Sequence, residues 1–356
     1  MKKPSAVLYT GTYFSTDNGK LAHGLVRGTE RFDVIGVIDT SSAASDAGEI
    51  LDGHHRGIPV FGSLKEALEK LDAPPAVCIF AVATAGGRIP GELKARILEV
   101  LNRGISIINC LHELLSDDPA MVRAAASTGA GITDIRKPKP FRDLHFFSGE
   151  IRNLQTPRIA VLGTDCAVGK RTTALMLLRS LRAKGISAEM IYTGQTGYLQ
   201  GLEYGFILDA TPNDFVSGEL EHQVLRCDRE KHPQVILIEG QSSLRNPSGP
   251  CGSELILSAG AETVILQHNP KRPFFDFRED LRWPIPSVKE ELEILRLYGA
   301  RVSAITLQET PVAGTEEYRR LKQELSEQLG VPVFLPLSEG TDELAELVLR
   351  SVGVKE

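Results

Sequence analysis

The segment that most constrains how this chain folds runs from an apolar strand through a glycine-bracketed turn into a helix. Arg158–Leu162 has the strand pattern, Gly163 and Gly169 bracket the turn, and Lys170 begins an amphipathic helix. This order of strand, glycine loop and helix is the context of a phosphate-binding loop. The backbone N–H groups converge on one concavity, and the helix dipole favours an anion there. We assign phosphate binding to the loop and the first helical turn: Gly163, Thr164, Asp165, Cys166, Ala167, Val168, Gly169, Lys170, Arg171, Thr172 and Thr173.

The loop departs from the commonest form in two ways. Five residues, not four, separate Gly163 from Gly169, and Arg171 stands where a Ser or Thr hydroxyl would reach magnesium. One residue along a helix is a rotation of about 100°, so Thr172 does not simply replace that hydroxyl. Arg171 instead adds a second cation, with a fork geometry suited to phosphate. Magnesium-dependent ATP hydrolysis is therefore a weaker prediction than phosphate binding, and coenzyme A fits at least as well.

Composition and charge exclude several classes of protein. The 356 residues carry a formal net charge of −6, and no stretch gathers Lys and Arg densely enough for a nucleic-acid surface. The apolar run after Met1-Lys2-Lys3-Pro4 is too short for a signal peptide or a membrane span. Five scattered Cys without a CxxC pair indicate buried thiols in a reducing compartment, not disulfides or a metal site. We expect a cytoplasmic protein without nucleic-acid or membrane partners. The sequence leaves open whether the protein forms a homo-oligomer.

Short apolar runs alternate with helical patterns from end to end, which is typical of α/β proteins with parallel sheets. The first half has four predicted strands: Ala6–Tyr9, Val34–Ile38, Val77–Ala83 and Ile105–Ile108. Its predicted helices are Leu21–Arg31, Leu64–Leu71 and Leu93–Arg103. The second half has six: Arg158–Leu162, Ala188–Tyr192, Val235–Ile238, Thr263–Leu266, Val302–Leu307 and Val331–Leu335. Its predicted helices are Lys170–Lys184, Ser217–Cys227, Ser253–Ala259, Lys289–Tyr298, Glu316–Leu329 and Asp342–Val352.

The alternation breaks over residues 133–157, which contain three prolines and several charges. The aromatic side chains of Phe141, Phe146 and Phe147 are expected to dock this linker onto one domain. The sequence thus predicts an α/β protein of two domains. A Rossmann-like parallel-sheet domain over residues 1–145 precedes a P-loop NTPase-like α/β domain over residues 146–356.

Other strands of the second half also end in polar residues, which should lie at the same sheet edge as the loop. Glu239 occupies the position of a Walker B acid and is the first candidate for a catalytic base, although a carboxylate that only positions its neighbours fits equally well. His268 is a second candidate acid or base, with a structural histidine favoured. We assign substrate binding to the polar residues after two strands: Gly194, Gln195, Thr196, Gln241 and Ser242.

The first half has a partial pattern of a dinucleotide-binding site. Tyr9–Gly11 turns after the first strand and Asp39 ends the second, where an acid would hold a ribose. The G-x-G-x-x-G fingerprint is missing, because Gly11 is followed next by Gly19. A further run, residues 83–87, ends a third strand with two glycines. We expect a scaffold or substrate-side role here rather than cofactor binding.

Three motifs together carry a family resemblance. Gly163-Thr-Asp-x-x-Val-Gly-Lys170 resembles the variant loop of the dethiobiotin synthetase branch of P-loop proteins. Combined with Tyr192-Thr-Gly-Gln-Thr-Gly197 and Ile238-Glu-Gly-Gln-Ser-Ser-Leu244, it is similar to a bacterial and archaeal family long catalogued as a domain of unknown function. Members of that family pair an N-terminal Rossmann-like domain with a C-terminal P-loop domain. The resemblance implies D-glutamate N-acetyltransferase activity with acetyl-CoA as donor.

The leading hypothesis is therefore an acetyltransferase acting on a small amino-acid substrate. Lys170 and Arg171 would hold the acetyl-CoA phosphates, Glu239 would take the proton of the amine, and backbone N–H groups near Gly240 or Gly194 would stabilise the oxyanion. One alternative is a ligase or kinase that uses ATP with Mg, resembling dethiobiotin synthetase, with Asp165 or Glu239 near the metal. A nucleotide-binding switch without enzymatic activity is the other alternative.

Overall fold

A computed structural model of the chain describes residues 3–42, 45–82, 84, 88–276, 281–309 and 315–354. The chain forms two compact units. The first comprises Met1–Pro138 and Gln195–Leu202, and the second comprises Lys139–Gly194 and Glu203–Glu356. The domain boundary after residue 145 stays a prediction, and it differs from these units at the linker and at the segment 195–202. Of the run 83–87, only Thr84 lies within the described residues.

The first unit is built on a parallel sheet. Within the described residues its strands are β1 Ser5–Gly11, β2 Asp33–Asp39, β3 Val60–Phe61, β4 Val77–Phe80, β5 Ser106–Asn109 and β6 Ile132–Asp134. They pair in the order β3-β2-β1-β4-β5-β6. The accompanying helices are α1 Lys20–Val26, α2 Ala47–Asp52, α3 Leu64–Lys70, α4 Gly91–Asn102, α5 Pro119–Thr128 and, from the segment 195–202, α7 Gln195–Gln200. Val7 and Leu8 are both fully buried, in separate apolar clusters, because helices cover both faces of the sheet.

The second unit contains a larger parallel sheet. Its described strands are β7 Arg158–Gly163, β8 Ala188–Tyr192, β9 Tyr204–Gly205, β10 Val235–Glu239, β11 Thr263–His268, β12 Arg301–Leu307 and β13 Val333–Phe334, in the order β13-β12-β11-β7-β10-β8-β9. The described helices are α6 Lys170–Ala183, α8 Asn213–Lys231, α9 Ser253–Leu257, α10 Val288–Leu297, α11 Thr315–Leu329, α12 Pro336–Glu339 and α13 Asp342–Val352. None of the helices in the described ranges is long and apolar enough to cross a membrane.

The predicted α/β class with two parallel sheets is confirmed, but the predicted strand counts are wrong. The described residues contain six strands in the first unit and seven in the second, where four and six were predicted. The missed strands β3, β6 and β9 have only two or three residues, too few to form a recognisable apolar run. Helix α8 extends beyond its predicted ends, Ser217 and Cys227, because its first two residues and its last turn, residues 228–231, are polar and show no apolar period.

Residues 139–151 dock onto α8 within their own unit, as the aromatic residues predicted. The ring of Phe146 lies 4.4 Å from that of Phe215, centroid to centroid. The buried carboxylate of Glu219 accepts a hydrogen bond from the backbone N–H of His145 at 2.9 Å, and Nδ1 of the same histidine lies 2.8 Å away. The linker is therefore an ordered part of the second unit.

Candidate functional site

The loop and the polar strand ends lie at one edge of the seven-stranded sheet. Strand β7 is flanked by β10 and β11, and β8 lies on the far side of β10. Ladder pairing aligns Glu239 with Val161 and Gln267 with Gly163. Because these strands are parallel, their carboxyl ends meet at this edge, where open α/β sheets bind ligands. The structure thus brings together the loop, Glu239 and His268.

Two glycines of the loop are needed for different reasons. A Cβ on Gly163 would lie 2.9 Å from Val168 Cγ2 and 3.1 Å from the carbonyl oxygen of Gln267, so close packing excludes a side chain there. Gly169 has φ +99° and caps helix α6, a left-handed conformation that favours glycine. Ala167 also has positive φ, at +51°. These conformations turn the backbone sharply into the helix N-terminus, as an anion-binding loop requires.

Lys170 is held beside the loop by two backbone carbonyl groups. Its Nζ donates hydrogen bonds to the carbonyl oxygens of Asp165 at 2.6 Å and Ser242 at 2.8 Å. Ser242 adopts a left-handed backbone conformation, φ +43°, at that point. Burial lowers the pKa of Lys170. The side chain is therefore a positioned, poorly solvated donor, suited to a ligand that brings negative charge.

Arg171 and Glu239 face each other across the start of α6. The guanidinium NH1 lies 3.6 Å from Glu239 Oε1, and Glu239 Oε2 accepts the backbone N–H of Thr193 at 3.2 Å. The Thr193 hydroxyl donates to the Glu239 carbonyl at 2.8 Å. Burial raises the pKa of Glu239, and it outweighs the opposing effects of Arg171 and the backbone N–H groups of Thr193 and Gly194. A guanidinium cation thus lies beside the strand-end acid of this loop.

The second candidate acid or base, His268, is a poor proton acceptor. Its Nδ1 lies 3.0 Å from the hydroxyl of Thr164, and burial lowers its pKa to about 4. The ring is therefore neutral near pH 7 and has little tendency to take up a proton. Burial shifts the two predicted groups in opposite directions, since it makes Glu239 more basic and His268 less so.

Other predicted loop residues hold the loop in place. The fully buried carboxylate of Asp165 accepts hydrogen bonds from Asn246 Nδ2 at 3.0 Å, Arg272 NH1 at 3.2 Å and the backbone N–H of Asp276 at 2.8 Å. The Thr173 hydroxyl donates to Gln267 Oε1 at 2.6 Å. With these partners, Asp165 and Thr173 anchor the loop to the rest of the unit.

Cys166 and Thr172 are the two remaining polar side chains of the predicted loop. Cys166 is half-buried, with its Sγ 3.5 Å from the hydroxyl of Ser242, and Thr172 is also half-buried. Within the described ranges, no group of three or more His, Cys, Asp and Glu side chains is placed to hold a metal ion. Arg272 carries no sequence signal for its anchoring role, because it lies outside the loop motif. Gln267 is a polar residue directly after a predicted strand, but that pattern does not indicate which side chain it binds.

The predicted substrate-binding residues fall into two groups. Gln241 and Ser242 follow β10 in the second unit, next to Gly194, where the Gln241 amide leaves no room for a Cβ. Gln195 and Thr196 instead begin α7 and belong to the first unit. The Gln195 amide lies 3.2 Å from both the carbonyl oxygen of Cys110 and the Arg136 guanidinium, and these two partners assign its nitrogen as the donor to Cys110 and its oxygen as the acceptor from Arg136. The helix after β8 is thus the feature that the sequence pattern did not indicate.

The predicted oxyanion donors need correction. The backbone N–H of Gly240 donates to the carbonyl of Val161 at 3.1 Å, continuing the ladder between β10 and β7. The N–H of Gly194 is directed at Glu239. Both groups have partners within the unit, so neither is a free donor for a developing oxyanion.

The fold and the site define a P-loop protein, since a parallel sheet presents a glycine loop, a lysine and a helix N-terminus at its carboxyl edge. Two family descriptions match the chain. "Domain of unknown function (DUF1611_C) P-loop domain" matches residues 145–345, and "Domain of unknown function (DUF1611_N) Rossmann-like domain" matches residues 40–138. The chain belongs to the DUF1611 family. The predicted family and its order of domains are confirmed.

Similar proteins include two that are named D-glutamate N-acetyltransferase. The one from Tritonibacter scottomollicae is 29% identical over 293 residues, which cover 80% of this chain and 85% of that protein. The one from Pseudoalteromonas sp. is 28% identical over 274 residues, covering 75% and 79%. The crystal structure of a DUF1611 family protein from Anabaena variabilis has a TM-score of 0.89 at 27% identity and covers 98% of this chain and 100% of its own.

Proposed function

We propose that this chain is an N-acetyltransferase that moves an acetyl group from acetyl-CoA to the amino group of an acidic amino acid, D-glutamate. The observation that carries the proposal is the similarity, over 80% and 75% of the chain, to two proteins named for that activity. The similarity includes the P-loop unit, which is where we place the acetyl donor.

The cations of the loop support coenzyme A as the phosphate-bearing ligand. Lys170 and Arg171 place an ammonium and a guanidinium at the start of α6, where backbone N–H groups also favour anions. Arg171 contacts the acid that would otherwise face a metal, at 3.6 Å from Glu239. A ligand held by protein cations fits this arrangement better than one whose phosphates need a hydroxyl-bound magnesium.

Glu239 is the residue that fits the role of base. Acetyl-CoA supplies an activated thioester carbonyl, but an amine is protonated at neutral pH and must first lose a proton. Glu239 can take that proton, because burial raises its pKa and Thr193 holds the carboxylate in place. Transfer then forms the carbon–nitrogen bond and breaks the carbon–sulfur bond, and the departing thiolate takes the second proton of the amine.

Thermal unfolding with different ligands tests the proposal. A ligand that binds the native state raises Tm by mass action, and at 100 times its Kd it stabilises by about 2.7 kcal/mol. We expect acetyl-CoA and CoA to raise Tm in the wild type and to have no effect on Lys170→Ala. Stabilisation by ATP with magnesium and by neither CoA species would overturn the proposal in favour of a ligase, kinase or nucleotide switch.

Thiol release tests the chemistry. Mixed with acetyl-CoA, the wild-type protein should release CoA thiol with D-glutamate and more slowly with L-glutamate or with D-amino acids that lack an acidic side chain. If acetyl-CoA binds but no mixture releases CoA thiol, the proposed phosphate site stands and the proposed amino-acid acceptor is wrong.

A further inference from the structure

A second cavity, of about 590 Å³, lies in the first unit at the carboxyl ends of β1, β2 and β4. Strands β1 and β4 are neighbours at the point where the strand order reverses. Open α/β sheets bind ligands at such a switch point, and the volume falls within the roughly 300–1,000 Å³ of small-molecule sites. All of its described lining residues belong to the first unit, so it is distinct from the P-loop site.

The acid at this edge is not available to a nucleotide. The fully buried carboxylate of Asp39 accepts hydrogen bonds from the Thr10 hydroxyl at 2.9 Å, the Phe14 N–H at 2.9 Å, and both the N–H and the hydroxyl of Ser41 at 3.1 and 2.6 Å. Four donors saturate a carboxylate. Asp39 therefore orders the turns after β1 and β2, and it cannot also hold a ribose.

The charges that line the cavity are balanced. Arg88 lines the cavity together with Glu92, Arg96 and Glu99 of α4, and Arg96 NH1 is 3.1 Å from Glu99 Oε2. Arg88 makes no ion pair within the part of the chain that the structure describes. Two carboxylates beside the guanidinium groups repel a polyphosphate, whereas a ligand with one positive and one negative group is attracted to both. An arginine already paired still offers further N–H donors to a carboxylate.

The remaining walls are largely apolar. Ile38, Leu64, Val82 and Leu93 are buried residues that contribute to the lining. Thr84 lines the cavity too, and its Oγ1 has no hydrogen-bond partner among the described residues. An apolar chamber with a few polar groups of both signs is typical of a site for a small polar metabolite.

We infer that this cavity binds a free α-amino acid as a zwitterion. Its carboxylate faces Arg88 and Arg96, its ammonium faces Glu92 and Glu99, and its side chain lies against the apolar walls. The amino-acid class follows from the charges of the cavity, while the choice of glutamate as first probe rests on the proposed function. An acceptor and a regulatory ligand have the same chemistry here, and the experiment separates them.

Titration calorimetry of the full-length protein without acetyl-CoA tests the inference. The probes are D-glutamate, L-glutamate, a panel of other D- and L-amino acids, and two matched compounds: glutarate, which lacks the ammonium, and N-acetyl-D-glutamate, which masks it. We expect at least one amino acid to bind, with glutarate and the acetylated form at least tenfold weaker. Arg96→Gln and Glu92→Gln should each weaken amino-acid binding about tenfold or more, since each removes a charged hydrogen-bonding partner.

Two variants serve as controls. Arg103→Gln removes an exposed arginine just after α4 that does not line the cavity, and it should bind the amino acid within twofold of wild type. Lys170→Ala should also retain amino-acid binding. We expect the cavity variants to fold, because Arg96 and Glu92 lie on the exposed side of their helix. Circular dichroism at 222 nm and Tm check the fold of each variant.

Three results would show that the cavity does not bind an amino acid as inferred. No binding by any amino acid, binding unchanged in both cavity variants, or equal binding of glutarate would overturn the inference. The proposed function fails separately, when acetyl-CoA does not bind the wild type. If the amino acid that binds the cavity is also acetylated and the cavity variants raise its KM, the cavity holds the acceptor and Glu239 is not its base. If the amino acid only changes the rate with another acceptor, the cavity is regulatory and the proposed role of Glu239 is unaffected.

Discussion

At the scale of single residues, the contact between Arg171 and Glu239 distinguishes this loop from one that carries a hydroxyl directly after its lysine. A hydroxyl after the lysine would leave the strand-end acid facing a metal, whereas here a guanidinium lies 3.6 Å from that acid. A guanidinium also stays charged at every physiological pH. In the proposed function, the same side chain therefore binds phosphate and lies beside the base.

Substitution of Arg171 tests whether its side chain binds the CoA phosphates. Arg171→Ala should weaken CoA binding at least tenfold, because hydrogen bonds to charged groups contribute about 1.5–3 kcal/mol. Arg171→Lys should restore only part of the loss, since an ammonium lacks the fork. Isothermal titration measures both, with Arg179→Ala, an exposed arginine of the same helix, as the matched control. Unchanged affinity in Arg171→Ala would show that the guanidinium does not touch the phosphates.

The raised pKa of Glu239 predicts the acid limb of the activity profile. A base acts only when deprotonated, so kcat/KM should fall as pH drops through the folded-state pKa, at a pH above the ordinary glutamate range. Glu239→Gln should lower kcat at least 100-fold with acetyl-CoA affinity retained, and its residual rate should lose that limb. A profile that keeps the same limb in Glu239→Gln would assign the titration to another group.

The residues of the site differ in how far the sequence reveals them. Gly163, Gly169 and Lys170 were predictable, because the strand–loop–helix context requires a close approach, a left-handed turn and a cation. The partners of Asp165 and Thr173 were not, since Arg272 and Gln267 are about a hundred residues away and reach the loop only through the sheet order. A motif predicts backbone shape well and predicts the direction of a side chain poorly.

At the scale of elements, apolar run length decides what can be predicted. The predicted bounds of β8 and α13 coincide with the observed Ala188–Tyr192 and Asp342–Val352, because an apolar run interrupted only by Glu189 marks the strand and an amphipathic period marks the helix. Two-residue strands such as β3 have no period to detect, and they exist only because a neighbour pairs with them. Helix α8 exceeds its predicted bounds because residues 213–214 and 228–231, at its two ends, are polar and carry no apolar period. An ion pair and hydrogen bonds with the linker stabilise the carboxylates that are buried within it.

The contact between the linker and α8 predicts how the stability of the second unit depends on pH. Burial alone would raise the pKa of Glu219, but hydrogen bonds from Lys139 and His145 outweigh it and hold the pKa below its usual range. The ionised Glu219 therefore stabilises the folded state fully above the ordinary glutamate pKa, and this contribution is lost as pH falls through the lowered pKa of the folded state. Glu219→Gln should cost about 1–3 kcal/mol of unfolding free energy at pH 7, and less as the pH drops towards 3.

Urea unfolding at several pH values measures this difference. Glu150→Gln, an exposed glutamate of the same segment, is the matched control and should change stability by less than about 0.5 kcal/mol. A cost in Glu219→Gln that stays constant from pH 7 to pH 3 would mean that charge has no part in docking the linker.

At the scale of the whole molecule, the chain order and the compact units do not coincide. Residues 195–202 follow Gly194 directly in the chain, yet they pack into the first unit. There the Arg31 guanidinium lies 4.0 Å from the ring centroid of Tyr198 and its Nε donates to the Tyr198 carbonyl at 2.8 Å. A six-residue helix has too short a pattern to show which core it joins, so only the fold could reveal this exchange.

Leu199 carries the apolar part of this packing, and its removal should destabilise one unit selectively. The side chain is fully buried in the cluster that contains Leu21 and Leu25 of α1. Leu199→Ala should therefore cost the first unit about 2–5 kcal/mol, and amide hydrogen exchange should speed up in β1 and α1 more than in β10. Leu257→Ala, at a leucine that is 59% exposed, should leave both regions unchanged. If exchange instead rises equally in α1 and β10, the two units open together and Leu199 supports a single cooperative structure, contrary to the division that the fold indicates.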